Sequence, residues 1–485
     1  MKQVGRRLAT LLLGCLAALQ GGADEPADEA ARAAMLADGR ALTAQFDAGE
    51  IEAVWERFGE QMRSAMGSAD ALRGFRAQVE QQLGAEEEVL QEAVRREGEF
   101  MVYQRIGRWR LAPMPILVIW AVGADGKVEG FHIRPAPPQA APAPSQAPLP
   151  QGRLPDDEQV RAQLRAFIDQ PGSAPGVVVG LGDARGVRFL ALGDAGDGAL
   201  PDADTVFEAG SITKGLTGLL LAQMAAAGEV RLDQPIAGLL PEGPALAPEL
   251  AAITLADLAR HRAGLPRLAG GPEMQARMTS EDPYAGSTPA EIFADLARVP
   301  PETVRAGHGR FAYSNLGAAL LGQLLARAAG EPYESLLAKR VFAPLDLPAP
   351  VLDPDAVTGR QASATQAGRP VPHWHLDAYA PTGGWQASAR DLHALGVRLL
   401  ESEPGWVAAA LQRVELPGHP ERGMGLGWHH GVVGDREIIW HNGGTAGSSS
   451  FLGIVPSEGL VVAVLANGGG GIVDGLARSL LASGR

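Results

Sequence analysis

Residues 207–224, FEAGSITKGLTGLLLAQM, place Lys214 three positions after Ser211 at the head of an otherwise apolar run. The chain has only four lysines, Lys2, Lys127, Lys214 and Lys339, among 42 Lys plus Arg, so a lysine here asks for a reason that arginine does not meet. Arginine stays protonated, whereas a desolvated lysine can shed its proton and act as a base. Residues three apart on a helix share a face, so Ser211 and Lys214 would project together. Leu216, Leu219, Leu220 and Met224 would anchor that helix in the core, while Gly210, Gly215 and Gly218 would admit close neighbours. A hydroxyl becomes a good nucleophile when an adjacent base takes its proton, which makes this pair a candidate for acyl transfer. The competing reading has Ser211 as a helix N-cap and Lys214 as an exposed first-turn residue.

Two later segments add to the pair. In FAYSNLGAALLGQLLARAAGEPY, Tyr313 and Asn315 immediately precede an apolar helix, in a chain with five tyrosines. Tyr313 could share or relay a proton and the Asn315 amide could bind a substrate carbonyl, while Ser314 or Asn315 could equally cap the helix. In IIWHNGGTAGSSSFLGIVP, a strand carries His441, Asn442, Gly443 and Gly444. Glycines there would let an acyl substrate lie against the strand, where a backbone N–H can hold a developing oxyanion; His441 could orient the phenol or the substrate.

Ser-x-x-Lys, then Tyr-x-Asn, then His-x-Gly, in this order, resembles the serine β-lactamase and penicillin-binding-protein superfamily, specifically its class C-like branch. The resemblance runs over nearly all of residues 154–485 and includes LARHRAGLP with His261 and Gly264, VFAPLDL, APTGGWQASARDL and GMGLGW. It implies a β-lactamase/transpeptidase-like α/β fold, an antiparallel sheet flanked by helices with a helical subdomain. It also implies roles: Ser211 as the acylated nucleophile, Lys214 as its proton partner, Tyr313 as the general base that also activates the deacylating water, and Asn315 as a substrate-contacting amide. His441 stands where the family places a lysine or histidine, and the oxyanion hole would be the N–H groups of Ser211 and Gly444. Lys214 and Tyr313 would titrate as a coupled pair. Histidine at 441 removes the fixed charge that lysine gives class C β-lactamases, so the resemblance implies a reaction class rather than one substrate. The expectation is an exported serine hydrolase acting through an acyl-enzyme on an amide or ester, as a peptidase, esterase or β-lactamase-like enzyme. Alternatives are a D-Ala-D-Ala carboxypeptidase of cell-wall peptides and a penicillin- or peptidoglycan-binding sensor that does not turn over.

Outward from this region the chain changes character. PAPPQAAPAPSQAPLP, residues 135–150, has seven prolines and no charge, so residues 135–153 read as an extended linker. Before it, residues 24–134 show helical spacing over 29–65 and 70–84, then FMVYQRIG, APMPILVIWAVG and KVEGFHIRP as strands, with a turn at Gly123-Ala124-Asp125-Gly126. This predicts a small α+β domain whose pattern loosely resembles the nuclear-transport-factor-like class, with the acidic run Glu86-Glu87-Glu88 on a solvated face. Beyond the linker, strand-like segments near 176–193 and 436–466 enclose a helical middle, which predicts one sheet assembled from both ends of the domain.

Residues 1–23 combine Lys2, Arg6 and Arg7 with an apolar stretch Leu8–Leu19, the pattern of a secretory signal. Cys15, the one cysteine, lies inside it. The expected location is therefore periplasmic or secreted, with membrane attachment only if Cys15 is lipidated, and without cysteine pairs for disulfides or metal sites. The formal charge of −14 argues against nucleic acid as a partner and leaves a small-molecule or peptide substrate, cell-wall material being one source. No serine has the Gly-x-Ser-x-Gly elbow. His373 with His375, or His429 with His430, could suggest a metal hydrolase, but His-Glu-x-x-His is absent, so no metal and no cofactor is expected.

Overall fold

The computed structural model describes residues 29–97, 100–112, 115–136, 154–242, 246–401, 404–416 and 419–482. The expected signal 1–23, with Cys15, and the linker from residue 137 to 153 lie outside the described residues. The chain divides into two compact units, Met1–Gln139 and Ala140–Arg485. No helix among the described residues is long and apolar enough to cross a membrane.

The first unit has helices α1 (Glu29–Ala48), α2 (Ile51–Arg57), α3 (Glu60–Met66) and α4 (Ala69–Leu83). An antiparallel sheet follows in sequence order, β1 (Glu86–Glu97), β2 (Phe100–Trp109), β3 (Ile116–Val122) and β4 (Val128–Pro135). The helical stretch expected over 29–65 is broken twice. Gly49 takes φ +80°, which ends α1, and Phe58 turns extended to bridge Val128. The core closes on Trp120, stacked on Phe131 at 3.8 Å, with Trp120 Nε1 donating to Thr43 Oγ1 at 2.9 Å. The acidic run is not uniformly solvated: the Glu86 side chain is buried and receives Arg105 Nε at 2.9 Å, while Glu88 stays exposed. The register shift between Glu86 and Glu88 accounts for the split, since residues two apart on a regular strand would share a face, and a carboxylate turned inward needs a cation.

In the second unit α5 (Asp157–Ile168) leads into the hairpin β5 (Gly176–Asp183) and β6 (Gly186–Gly193). The helical middle includes α6 (Thr213–Ala226), α7 (Asn315–Ala329) and α8 (Ala389–Glu401). The chain returns through β7 (Val414–Leu416), β8 (His419–Met424), β9 (His429–Val433), β10 (Arg436–Gly444), β11 (Ser449–Val455) and β12 (Leu460–Ala466), ending in α9 (Asp474–Ala482). The eight strands run in the order β7-β8-β9-β10-β11-β12-β5-β6, all antiparallel, with Val464 opposite Val179 where the two ends of the unit meet. This join is the sheet assembled from both ends that the terminal strand patterns imply.

Both sheet faces are covered, which is why β5 and β12 read as unbroken apolar runs rather than as alternation. Val177, Val179, Val462 and Val464 pack with Leu164 of α5 and Leu480 of α9. Val178, Ala463 and Leu465 face the opposite side, in one core with α6, α7 and Leu392 and Leu395 of α8. Helix α6 is buried on every side, as expected of a helix at the centre of a large core. Its glycines are contact points: a Cβ on Gly215 would lie 2.5 Å from Trp428, and one on Gly218 would collide with the carbonyl oxygen of Leu426. The GLGW segment thus lies directly on the helix that carries Lys214.

Candidate active site

Ser211 sits in a single 3-10 turn, Gly210–Ile212, that runs straight into α6. Gly210 makes that turn possible by adopting φ +54°, with a hypothetical Cβ only 2.8 Å from Gly444 N. A side chain at 210 would push the end of β10 away from Ser211, so the two segments meet only through glycine. On β10, Gly443 is equally constrained, because a Cβ there would collide with the Ala209 carbonyl oxygen. The Ser450 hydroxyl donates to that same oxygen at 2.6 Å and holds the arrangement.

The alternative reading of the serine and lysine does not describe the fold. The N-cap position of α6 is Ile212, and it makes no side-chain cap bond. Lys214 is 3% exposed, with Nζ 2.9 Å from Ser211 Oγ and donating to the Thr382 carbonyl oxygen at 2.7 Å. Burial pushes this amine well below the ordinary lysine range, and the charge of Arg267 pushes the same way. Among the described residues no carboxylate offsets them. The amine can therefore be neutral at moderate pH, keeping an N–H for Thr382 and a lone pair for the Ser211 proton.

Tyr313 lies on the same group, with its ring centroid 5.0 Å from Lys214 Nζ and 5.2 Å from Arg267 Cζ. Burial pushes its phenol up to about 12, against the opposing pull of the Ser211 hydrogen bond and the Arg267 charge. Around neutral pH it is a phenol, a proton carrier rather than a standing base. Its position is fixed on both sides by His261, a buried residue at φ +54°. The His261 carbonyl accepts Ala312 N–H at 2.7 Å, its Nδ1 accepts Ser314 N–H at 3.2 Å, and its ring packs 4.4 Å from that of Tyr313. Ser314 caps α7 by accepting Gly317 N–H at 2.8 Å, so capping belongs to Ser314 and leaves Asn315 to the cleft. Asn315 Nδ2 lies at the long distance of 3.5 Å from Tyr284 Oη, and its Oδ1 is buried without a protein partner among the described residues.

Ser211, Lys214, Asn315 and Gly444 line one cleft together with Tyr284, Trp374, Leu376, Thr382, Gly383 and Thr445. A larger cavity, walled by Phe342, Val351 and Trp385, contains none of these candidates. His441 is placed differently. It is fully buried, 6.4 Å from the Tyr313 ring, and does not line the cleft. Its Nδ1 donates to the Asn442 carbonyl at 2.6 Å, which leaves Nε2 as an acceptor without a protein partner among the described residues. Burial, then His429 and Lys214, hold it well below the usual histidine range. His429 stacks on Trp440 at 4.7 Å and is lowered to about 4, chiefly by burial. The histidines of this wall are therefore neutral and add no charge near the phenol.

Among the described residues, one of the histidines considered as metal ligands, His375, groups with exposed Asp353 and Asp355, their ligand atoms within 4.8 Å of one another. His430 Nε2 meets the Leu411 carbonyl at 2.8 Å, and His373 Nδ1 lies 3.4 Å from buried Glu208. Glu208 in turn accepts the Thr445 hydroxyl at 2.9 Å and Trp374 N–H at 2.8 Å, tying two cleft-lining residues to one carboxylate. Sequence reasoning passed over Glu208, Thr382, Tyr284 and Arg267. Thr382 and Arg267 adjoin or belong to quoted motifs, but only the fold shows which of their atoms reach Lys214 and Tyr313.

Residues 164–483 match the family model described as Beta-lactamase. Penicillin-binding protein 4 of Amycolatopsis lactamdurans is 29% identical over 334 residues, covering 63% of this chain and 83% of that protein. The D-alanyl-D-alanine-carboxypeptidase/endopeptidase AmpH of Escherichia coli K12 is 24% identical over 315 residues, 61% of this chain and 79% of AmpH. Among solved structures, SurE with D-Leu superposes with a TM-score of 0.51 at 27% identity, covering 67% of this chain and 75% of SurE. The chain belongs to the β-lactamase family, within the serine β-lactamase and penicillin-binding-protein superfamily of serine hydrolases.

Proposed function

We propose that this protein is an exported, class C-like serine hydrolase that forms an acyl-enzyme on Ser211. The observation that carries the reading is the 2.9 Å separation of Ser211 Oγ from the buried Lys214 amine, whose pKa burial pushes well below the ordinary lysine range. Ser211 Oγ attacks the substrate carbonyl carbon while its proton passes to Lys214. The resulting oxyanion is held by the N–H groups of Ser211 and Gly444, and Asn315 contacts the substrate amide. The leaving group departs with a proton from Tyr313, which Lys214 replenishes. Water then gives a proton to the same pair and attacks the acyl carbon, and the bond from Ser211 Oγ to the acyl group breaks as that proton returns to Ser211 Oγ, releasing the acid. His441 acts from behind, by orienting Tyr313.

The relatives favour substrates with D-residues: one is described as a D-alanyl-D-alanine-carboxypeptidase/endopeptidase, another structure holds D-Leu. We read the substrate as an acyl-D-amino acid amide, with cell-wall peptides as one source. Residues 24–134 are read as an accessory domain of nuclear-transport-factor-like type, joined by the 135–153 linker and exported through the 1–23 signal. The test is labelling of intact protein with a fluorophosphonate and with a fluorescent penicillin, wild type against Ser211→Ala. Adduct on Ser211 in the wild type alone is expected; no adduct, or equal labelling of the variant, overturns the assignment. A label that forms and persists, with no hydrolysis of nitrophenyl esters or D-Ala-D-Ala peptides, would mark a sensor instead.

A further inference from the structure

We propose that Glu208 is a positioning residue for the Ser211 cleft: its carboxylate clamps the turn that follows Gly444 and the wall formed by Trp374, and so sets where the oxyanion donor stands. The role in the reaction rests on the acyl-transfer reading, but the clamp itself is measured without turnover.

Glu208 ends a short strand, Val206–Glu208, that pairs with Gln386–Ser388 and runs into the turn of Ser211. It is 1% exposed, and among the described residues no lysine or arginine pairs with it; His373 Nδ1, at 3.4 Å, is the basic group beside it. A carboxylate withdrawn from water is costly unless hydrogen bonds satisfy it, and here each oxygen has its own donor. Oε1 accepts Trp374 N–H at 2.8 Å, and Oε2 accepts the Thr445 hydroxyl at 2.9 Å. The two donors come from separate segments, and both residues line the cleft with Ser211 and Gly444, whereas Glu208 stands behind it.

The Thr445 arm reaches the oxyanion site. A hydroxyl has a single proton, and with that proton on Glu208 the lone pairs of Thr445 Oγ1 accept Ser448 N–H at 3.1 Å and Gly447 N–H at 3.3 Å. Thr445 N–H closes the same turn on the Ser448 carbonyl at 3.0 Å. Thr445 follows Gly444 directly, so this turn fixes the end of β10 that presents the Gly444 N–H. The other arm fixes the wall: Trp374 is held at its backbone by Glu208 and at Nε1 by the Glu281 carbonyl at 2.9 Å, and its ring meets that of Tyr284 at 5.3 Å. The space left beside Ser211 is about 30 Å³, on the order of one or two water molecules, so a shift of either wall changes the site. An oxyanion donor acts only from the correct place, and a carboxylate behind the cleft thereby governs the rate without touching substrate.

The test follows nitrophenyl acetate hydrolysis, fluorophosphonate labelling and amide hydrogen exchange in the intact protein, for wild type, Glu208→Gln, Thr445→Val, Thr445→Ser and Glu208→Gln/Thr445→Val. Glutamine keeps the shape but turns one acceptor into a donor, and valine removes the hydroxyl alone. In Thr445→Val kcat is expected to fall about 10- to 100-fold with KM within about 3-fold of wild type, and Thr445→Ser should restore most of that loss. Glu208→Gln should lose a similar factor in kcat and also raise KM by about 3- to 10-fold, because both walls are released. The fraction of protein that labels at long times should stay at the wild-type level in each, where a merely structural defect would lower it. The double variant should have a kcat within about 2-fold of Glu208→Gln, since both changes break one bond. Amides of residues 371–376 and 445–448 should exchange faster in Glu208→Gln, and those of 445–448 alone in Thr445→Val. Wild-type kcat in Glu208→Gln, additive losses in the double variant, no restoration by serine, or unchanged exchange in both segments overturns the proposal; if Glu208→Gln does not fold, Thr445→Val and Thr445→Ser decide it by the same readings. A wild type that neither labels nor hydrolyses the ester, with the exchange contrast intact, sinks the acyl-enzyme reading and leaves the clamp standing.

Discussion

Lys214 Nζ lies 2.9 Å from Ser211 Oγ, and the amine is turned onto the hydroxyl by the bond it donates to the Thr382 carbonyl. The carbonyl selects the direction of one N–H, and α6, buried on all sides, removes the water that would otherwise stabilise the ammonium. A side chain that must lose its proton is thereby held in a core where losing it is favourable.

Lys214→Met should abolish labelling of Ser211, by about 100-fold or more in rate, because the hydroxyl loses its base. The same variant should be more stable than wild type at neutral pH, by on the order of 1 kcal/mol, since burial disfavours the charged amine that the unfolded chain keeps in water. The sign follows from the lowered amine: below the unfolded lysine pKa the unfolded state holds the extra proton, so wild-type stability rises with pH across this window. Thermal melts of wild type and Lys214→Met at pH 7 and pH 9.5 should show the gap narrowing as pH rises. A less stable variant, or one that labels normally, contradicts the account.

Tyr313→Phe should separate the two halves of the cycle. The ring that meets His261, Lys214 and Arg267 is retained, while the hydroxyl that carries protons is lost. Labelling should slow by about 10-fold, and hydrolysis of a nitrophenyl ester by about 100- to 1,000-fold, so that acyl-enzyme accumulates and is visible by intact-protein mass spectrometry. Loss of hydrolysis without an accumulated adduct would place the phenol in acylation alone.

Much of this site was readable as residue types in order, because each motif is local. Ser211 and Lys214 are one turn apart, and Tyr313 and Asn315 flank a helix start. The strands at both ends were readable too, because a strand buried on both faces must be apolar at every position. What sequence could not give is the direction of side chains fixed by distant partners. His441 alternates correctly along β10, yet only the packing of His429 and Tyr313 decides that it faces a buried wall. Arg267 carries no motif signal, and its relation to Tyr313 arises because the 261–267 loop and the start of α7 exchange backbone bonds across the intervening helices.

Glycines on helices give opposite predictions in the two units. Gly74 of α4 is exposed and a Cβ there would meet nothing within 4 Å, so Gly74→Ala should stabilise by about 0.5–1 kcal/mol through helix propensity. Gly218→Ala gains the same propensity but drives a methyl into the Leu426 carbonyl, so it should cost about 2–3 kcal/mol and disturb the GLGW segment beside Lys214. Denaturant melts read the stabilities, and fluorophosphonate labelling reads the site. Stabilisation by Gly218→Ala would show that this contact is not as tight as described.

The last prediction concerns the other side of β10. Asn442 Nδ2 donates to Asp474 Oδ2 at 2.7 Å, anchoring the strand that carries His441 and Gly444 to α9. Burial raises the Asp474 carboxyl to about 6, only partly offset by the Asn442 hydrogen bond and the Arg478 charge. An unfolded aspartate titrates near 3.9, so between about pH 4 and pH 6 the folded protein holds a proton that the unfolded chain has lost. The contribution of this group to stability therefore falls as pH climbs through that window and stays at its low level above about 6. Asp474→Asn is neutral at every pH and keeps an oxygen for the Asn442 amide. It should exceed wild type in stability by about 1 kcal/mol at pH 8, a figure reduced from the full shift because the group is partly solvated, and show no gain at pH 4. A loss at pH 8 would mean that Asp474 is held ionised and anchors the strand by charge, and equal gains at both pH values would mean that the gain does not come from the titration of this carboxyl.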